Sequence, residues 1–286
     1  MKKFIFAALL ALACTAPNGY SKNKNENEDV PLAHMTYTPG MTAIFRSWGF
    51  IGDSLCSGEM ECWEKGNDHV SYKDLYEYSW GQHICRLCGA EGYNFSNGGQ
   101  TAKGWIEREH QRTWAGAKLN PKQAYIIAMG ANDFSRAKKS GNLDPGDLKS
   151  DVNLEDYTKN ADTFAGNMAG IVQRVNSVSP GCKIFVVTRP NEPSHKGEWE
   201  PFNDVVRGLA DMFGNVYVID LYRYAPAYDE SFREKHFLNG HLSAEGYLFT
   251  AYMFMDYIDW IIRHNPQDFK DVPLYGTPWK TSRWEN

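Results

Sequence analysis

The chain has 286 residues, of which 42% are hydrophobic and 23% charged, with a formal net charge of −5. That composition can bury a core, and it excludes collagen-like, coiled-coil and wholly disordered chains. There is no basic excess of the kind a nucleic-acid binder needs, so no nucleic-acid partner is expected.

Residues 1–21 read as a secretory signal. Lys2 and Lys3 supply a charged start, and Phe4 to Ala13 form an apolar run far short of the ~20 residues that span a bilayer. Ala11 and Ala13 are the small residues a signal peptidase reads. Cys14 follows directly and also fits a lipid-attachment position, although Ala11 stands where such sites favour Leu. The expectation is an exported chain without a transmembrane helix: periplasmic, secreted, or lipid-anchored to the outer membrane at Cys14. Losing Lys2 and Lys3 takes the formal charge from −5 to −7.

Residues 22–40 are polar and read as a linker. The domain is expected over 41–265, and residues 266–286 as a tail packed on it, held by Trp279 or Trp284. Within the domain, an apolar stretch from Ala43 to Ile51 ends in Gly52-Asp53-Ser54. A helix is predicted from Tyr72 to Leu87. A strand from Gly92 to Phe95 ends in Asn97-Gly98-Gly99, and a helix runs from Ala102 to Trp114. A buried strand from Ala124 to Met129 ends in Gly130-Ala131-Asn132-Asp133. A long helix from Leu154 to Val178 stops at Pro180-Gly181. Strand Lys183 to Thr188, helix Glu200 to Phe213 and strand Val216 to Leu221 follow, and a last helix starts at a Ser243 cap and runs to about His264. Strands without alternation, separated by helices, predict a mostly parallel five-stranded sheet covered on both faces. The expected fold is one α/β three-layer α/β/α sandwich.

Beyond the signal the cysteines are Cys56, Cys62, Cys85, Cys88 and Cys182. Cys85 and Cys88 are spaced three apart and, with Cys56 and Cys62, could be drawn as a zinc site. The same spacing places two residues on one helical face, and buried thiols or one or two disulfides are the simpler reading in an exported chain.

Four residues lie where an α/β sheet collects its function, beyond the carboxyl ends of strands. Ser54 follows the first strand, where a turn exposes its hydroxyl; such a hydroxyl needs activation to act as a nucleophile. Gly99 offers a backbone N–H in a turn and Asn132 a side-chain amide. Such donors stabilise a tetrahedral oxyanion by roughly 3 kcal/mol each. His241, just before the last helix, could accept the Ser54 proton. Singly, each has a plain structural reading as a cap or turn residue, and the case rests on their shared placement.

With these residues in view, the chain resembles the SGNH (GDSL-type) esterases. Phe50-Ile51-Gly52-Asp53-Ser54-Leu55 resembles the family's first block, Asn94 to Thr101 the second, Gly130-Ala131-Asn132-Asp133 the third, and His241 to Tyr247 the fifth. Gly98 stands where a Ser is common. The resemblance implies a flavodoxin-like SGNH hydrolase fold, Ser54 as nucleophile, His241 as base, and Ser54, Gly99 and Asn132 as the oxyanion hole. It implies no metal and no organic cofactor. The order of blocks and the helix-rich end resemble exported versions from polysaccharide-degrading bacteria, which points to an acylated carbohydrate as substrate. A lipid or simple ester is the second option, and a non-catalytic carbohydrate-binding protein that retains the fold is the competing class.

One departure stands out. The family usually places an Asp three residues before the His, and here that residue is Leu238. The acid normally holds the imidazole tautomer and stabilises imidazolium. Three readings are open: orientation of His241 by a backbone carbonyl or by Asn239; a displaced acid, with Asp229, Glu230 and Glu234 nearest in sequence; or an impaired site. Asp53 and Asp133 are expected to hold loops together. Arg189, followed by Glu192 and His195 after the fourth strand, faces the ligand side. Among the aromatics, Trp63, Trp80 and Trp105 follow the first two blocks and are candidates to stack on a sugar. Trp260, Tyr257 and Phe254 recur at helical spacing and belong to the core.

Overall fold

The computed structural model describes residues 29–280 apart from 64, 67, 68 and 276. The expected signal with Cys14, and Trp284, lie outside the described residues. The strands are β1 (Ser47–Gly52), β2 (Glu59–Trp63), β3 (Val70–Asp74), β4 (Glu91–Ser96), β5 (Ala124–Ala128), β6 (Lys183–Val187), β7 (Val216–Ile219), β8 (Phe237–Leu238) and β9 (His241–Leu242).

Five of them form a wholly parallel sheet in the order β4-β1-β5-β6-β7. Every residue of β1 and β6 is buried, which is why neither strand alternates in sequence. Two cores lie on the two faces. One gathers Trp48, Phe50, Ile126 and Phe185 under the helices Trp80–Cys88 and Ala244–His264. The other gathers Ile51, Tyr125, Ile127 and Ile184 under the helices Phe164–Val178 and Glu200–Met212. Phe185 is fully buried and meets the rings of Phe45, Trp48, Tyr217 and Phe269. Phe185→Ala is therefore expected to cost about 3–5 kcal/mol in urea unfolding, and a loss below about 1 kcal/mol would contradict this packing.

The register positions the site. Gly52, the last residue of β1, pairs with Ser96 on one side and Ala128 on the other. The segments that follow all three strands therefore leave the sheet side by side. The chain winds in opposite directions on either side of β1, the crevice where open α/β sheets take ligands.

Several expected elements are corrected. The predicted helix from Tyr72 to Leu87 is a strand, β3, and a short turn before a helix that starts only at Trp80, where the Ser79 hydroxyl accepts from Gln82 N at 3.1 Å. β3 pairs antiparallel with β2, a hairpin inserted directly after the Ser54 segment. The long helix begins at Phe164 rather than Leu154. The Asn153 and Asp156 side chains accept the backbone N–H groups of Glu155, Asp156 and Thr158 and so compete with helix formation. The helix from Ala102 ends at Glu107, and the Thr113 hydroxyl donates to the carbonyls of Arg108 and His110 to fold the loop that follows.

The described part of the expected linker docks on the last helix. Leu32 is buried in the core, Trp260 Nε1 donates to the Asp29 carbonyl at 3.0 Å, and Thr36 donates to Asp256. At the other end, Trp279 is 72% exposed and does not hold the tail. Phe269 is buried, and the Tyr275 hydroxyl donates to the Pro180 carbonyl. All five described cysteines are free thiols. Cys85 and Cys88 do share one helical face and point into the core, where burial pushes the Cys88 thiol up to about 11. Among the described residues no helix is long and apolar enough to cross a membrane.

Candidate active site

Ser54 opens a short helix, Ser54–Ser57, whose cap is Asp53; the Asp53 carboxylate accepts from Leu55 N at 3.1 Å. Burial pushes the Asp53 carboxyl above its ordinary value, with the Arg189 guanidinium pulling the other way. Asp53 is therefore a cap buried behind Ser54, which agrees with the loop-holding role expected of it.

Gly99 has φ +69° and open space where a side chain would project, so the N–H-bearing turn presents bare backbone to the site. Asn132 lies in the first turn of the helix Ala131–Ser140, and its amide donates to the Gln100 carbonyl at 3.0 Å. Its neighbour Asp133 accepts from Ala102 N at 3.1 Å. Burial raises the Asp133 carboxyl to about 6, with that Ala102 N–H opposing the shift. Adjacent side chains thus lock the Gly99 turn against the Asn132 helix.

His241 is on β9, and Ser243 two residues on caps the last helix by accepting from Gly246 N at 3.0 Å. β9 packs against the helix that Ser54 begins. The His241 ring is half-buried, and its centroid lies 5.1 Å from that of Tyr72. Nε2 lies 3.2 Å from Glu59 Oε1, while Nδ1 is buried without a hydrogen-bond partner. Burial lowers the imidazole below its ordinary value, and the carboxylates of Asp53 and Asp74 pull it back.

None of the carboxylates expected near His241 is its partner. Asp229 caps the helix Glu230–His236 by accepting from Phe232 N at 2.9 Å, and Glu230 and Glu234 are exposed on that helix. The Asn239 amide donates to Glu61 instead, and its carbonyl accepts from Arg233. Leu238, at the expected acid position, is 42% exposed. Sequence reading missed Glu59. The signal available for it was the alternation of polar and apolar residues in Glu59-Met60-Glu61-Cys62-Trp63, which marks a strand rather than a loop.

Two of the three tryptophans considered for stacking are corrected. Trp80 (2% exposed) packs on Phe50 and Phe254, and Trp105 (0%) donates its indole N–H to the Phe95 carbonyl at 2.9 Å. Each faces inward from its helix and packs in the core, and Trp80 also contributes to the wall of the cavity beside Arg189. Trp63 is 58% exposed on β2. Arg189 pairs with the buried Glu192, lies over the Trp199 ring, and lines a cavity of about 270 Å³. Asp53 and Leu55, on either side of Ser54, and Gly240 and Leu242, on either side of His241, line the same cavity. Its size is just below the ~300–1,000 Å³ typical of drug-sized ligand sites. Among the described residues no cluster of His, Cys, Asp or Glu gathers as a metal site.

A half-buried serine on a helix packed by the His241 strand, with the Gly99 and Asn132 segments leaving the sheet beside it, fits an acyl-transferring hydrolase. The family model for GDSL-like lipases/acylhydrolases matches residues 50–248. The chain belongs to that family and is a carboxylic ester hydrolase. No curated protein matches the sequence.

Solved structures share the fold at low identity. A Lactobacillus plantarum protein is 14% identical with a TM-score of 0.52, covering 75% of this chain and 97% of that one. A carbohydrate esterase family 2 enzyme with a carbohydrate binding domain, from Corynascus thermopiles (Myceliophthora fergusii), is 13% identical with a TM-score of 0.51, covering 74% and 65%. An active-site mutant of a family two carbohydrate esterase from Clostridium thermocellum is 15% identical with a TM-score of 0.50, covering 78% and 64%.

Proposed function

We propose that the protein is an exported serine esterase that removes short acyl groups from carbohydrate. Ser54 Oγ attacks the ester carbonyl and forms an acyl-enzyme. His241 takes the Ser54 proton and passes it to the departing sugar hydroxyl. The N–H groups of Ser54 and Gly99 and the Asn132 amide hold the oxyanion. Water, deprotonated by His241, then releases the acid and restores Ser54. The observation that carries the reading is the in-register exit of three segments from β1, β4 and β5, which sets Ser54, Gly99 and Asn132 at one edge of the sheet.

Three features support the finer parts. The signal-like residues 1–21 support export, with Cys14 as the point of lipid attachment if the chain is anchored. The cavity of about 270 Å³ lined by the chain neighbours of Ser54 and His241 favours a short acyl group over a long fatty chain. The hairpin β2–β3 supports a sugar. Glu59, Glu61 and Trp63 alternate onto one face of it, opposite Tyr72 and Asp74, and Trp63 and Tyr72 are left exposed there as flat surfaces on which a sugar ring can stack.

Acetate release from acetylated oligosaccharides, compared with hydrolysis of p-nitrophenyl acetate and of long-chain p-nitrophenyl esters, tests this reading. The expected result is turnover of the sugar ester. Trp63→Ala should raise KM several-fold for the oligosaccharide and leave p-nitrophenyl acetate unaffected. Faster turnover of the long-chain esters would overturn the carbohydrate reading, and a folded protein that no fluorophosphonate labels would overturn the serine mechanism.

A further inference from the structure

We propose that Glu59, carried on the hairpin inserted after the nucleophile helix, is the residue that positions His241, replacing the acid that this chain lacks at Leu238. The inference rests on the serine-esterase reading above and deepens it.

The first observation is the pairing itself. Glu59 Oε1 is 3.2 Å from His241 Nε2, whereas Leu238 is turned to solvent and Asp229, Glu230, Glu234 and Asn239 are engaged or exposed elsewhere. A carboxylate beside Nε2 favours the proton on that nitrogen. Nδ1, buried and unpartnered, is then left as the bare nitrogen able to accept one.

The second observation is how firmly Glu59 is held. Its carbonyl accepts from the buried Tyr247 hydroxyl at 2.6 Å, so the helix that begins beside His241 also anchors the backbone of its partner. Asp74, opposite Glu59 on β3, has hydrogen-bonded partners of its own. It accepts from the Ser57 hydroxyl and pairs with Arg112 at 3.0 Å.

The third observation is independent of His241. A Cβ built on Gly98 would overlap Glu59 Oε2. The glycine that departs from the family's second block therefore vacates the space that the Glu59 carboxylate fills. Two departures from the resemblance, Leu238 for an acid and Gly98 for a serine, have one explanation: the carboxylate reaches the histidine from the other side of the site.

The experiment measures kcat, KM and the pH profile of kcat/KM on p-nitrophenyl acetate for Glu59→Gln, Glu59→Ala and Gly98→Ala and for the double variant Glu59→Ala/Gly98→Ala. Glu59→Gln is expected to lower kcat by roughly 10²–10⁴-fold with KM little changed, as when a triad acid is neutralised in place. Removing a neighbouring negative charge disfavours imidazolium, so the acid limb of the profile should move to lower pH. A role in folding alone would not move that limb.

Gly98→Ala leaves Glu59 in the chain, and only a flexible carboxylate tip has to yield, so the variant should fold. It is expected to reproduce the loss of kcat and the shift of the limb. In the Glu59→Ala background the same substitution should cost nothing further. Wild-type kcat and an unmoved limb in Glu59→Gln would overturn the proposal while leaving the esterase reading intact, and so would additive effects of Gly98→Ala and Glu59→Ala. Retained activity in Ser54→Ala would instead overturn the esterase reading itself.

Discussion

Ser54→Ala is expected to lower kcat on p-nitrophenyl acetate by roughly 10⁴–10⁶-fold, with the unfolding midpoint unchanged. The reason is local. Ser54 is the first residue of a four-residue helix whose cap and packing come from Asp53, Cys56 and Ser57. The hydroxyl can therefore be removed without opening the core. What remains after its loss is the oxyanion site, which binds the developing charge but cannot form the acyl-enzyme. Fluorophosphonate labelling should vanish in parallel. Full turnover by the alanine variant would place the nucleophile elsewhere.

His241→Ala should be nearly as damaging. The double variant with Ser54→Ala should be no worse than either alone, because nucleophile and base act as one unit. The pH dependence of the native enzyme carries a second expectation. In the proposed mechanism the base must be neutral, and burial lowers His241 below its ordinary imidazole value of 6.5. The groups facing it are Asp53 behind Ser54, Glu59 and Asp74 on the hairpin, and the Tyr72 ring. Asp53 and Asp74 raise the pKa by less than burial lowers it. kcat/KM should therefore rise with pH through a midpoint below 6.5 and be level at neutrality. A midpoint above 7 would mean that the carboxylates outweigh the burial.

The central sheet was legible because its strands are buried on both faces. Phe50 and Ile51, or Phe185 and Val186, serve opposite cores, so an unbroken apolar run is the mark each strand leaves. The placement of Ser54, Gly99 and Asn132 was legible for a related reason: each follows one of those strands, and the parallel register brings the strand ends side by side. The hairpin was not. Its strands are half polar, and it owes its place to docking on the site, through Glu59 on His241 and Glu61 on Asn239, partners far away in the chain. Its second strand also flows into Tyr76-Glu77-Tyr78, whose spacing imitates the helix that follows. The same limit explains Trp80 and Trp105. Proximity to a motif says nothing of which way a helix turns its residues, and both helices turn these two inward.

The docking of residues 29–36 on the last helix has an architectural consequence. That helix begins next to His241 and takes the N-terminal segment near its other end, at Asp256, Trp260 and Arg263. At about 1.5 Å per residue, the 17 residues from Ser243 to Trp260 separate the two points by about 25 Å. Asp29 therefore sits on the side of the domain away from the mouth of the site. The segment from Asp29 to Thr36 thus braces the last helix at the end far from His241, so a change there can loosen the domain without touching the site.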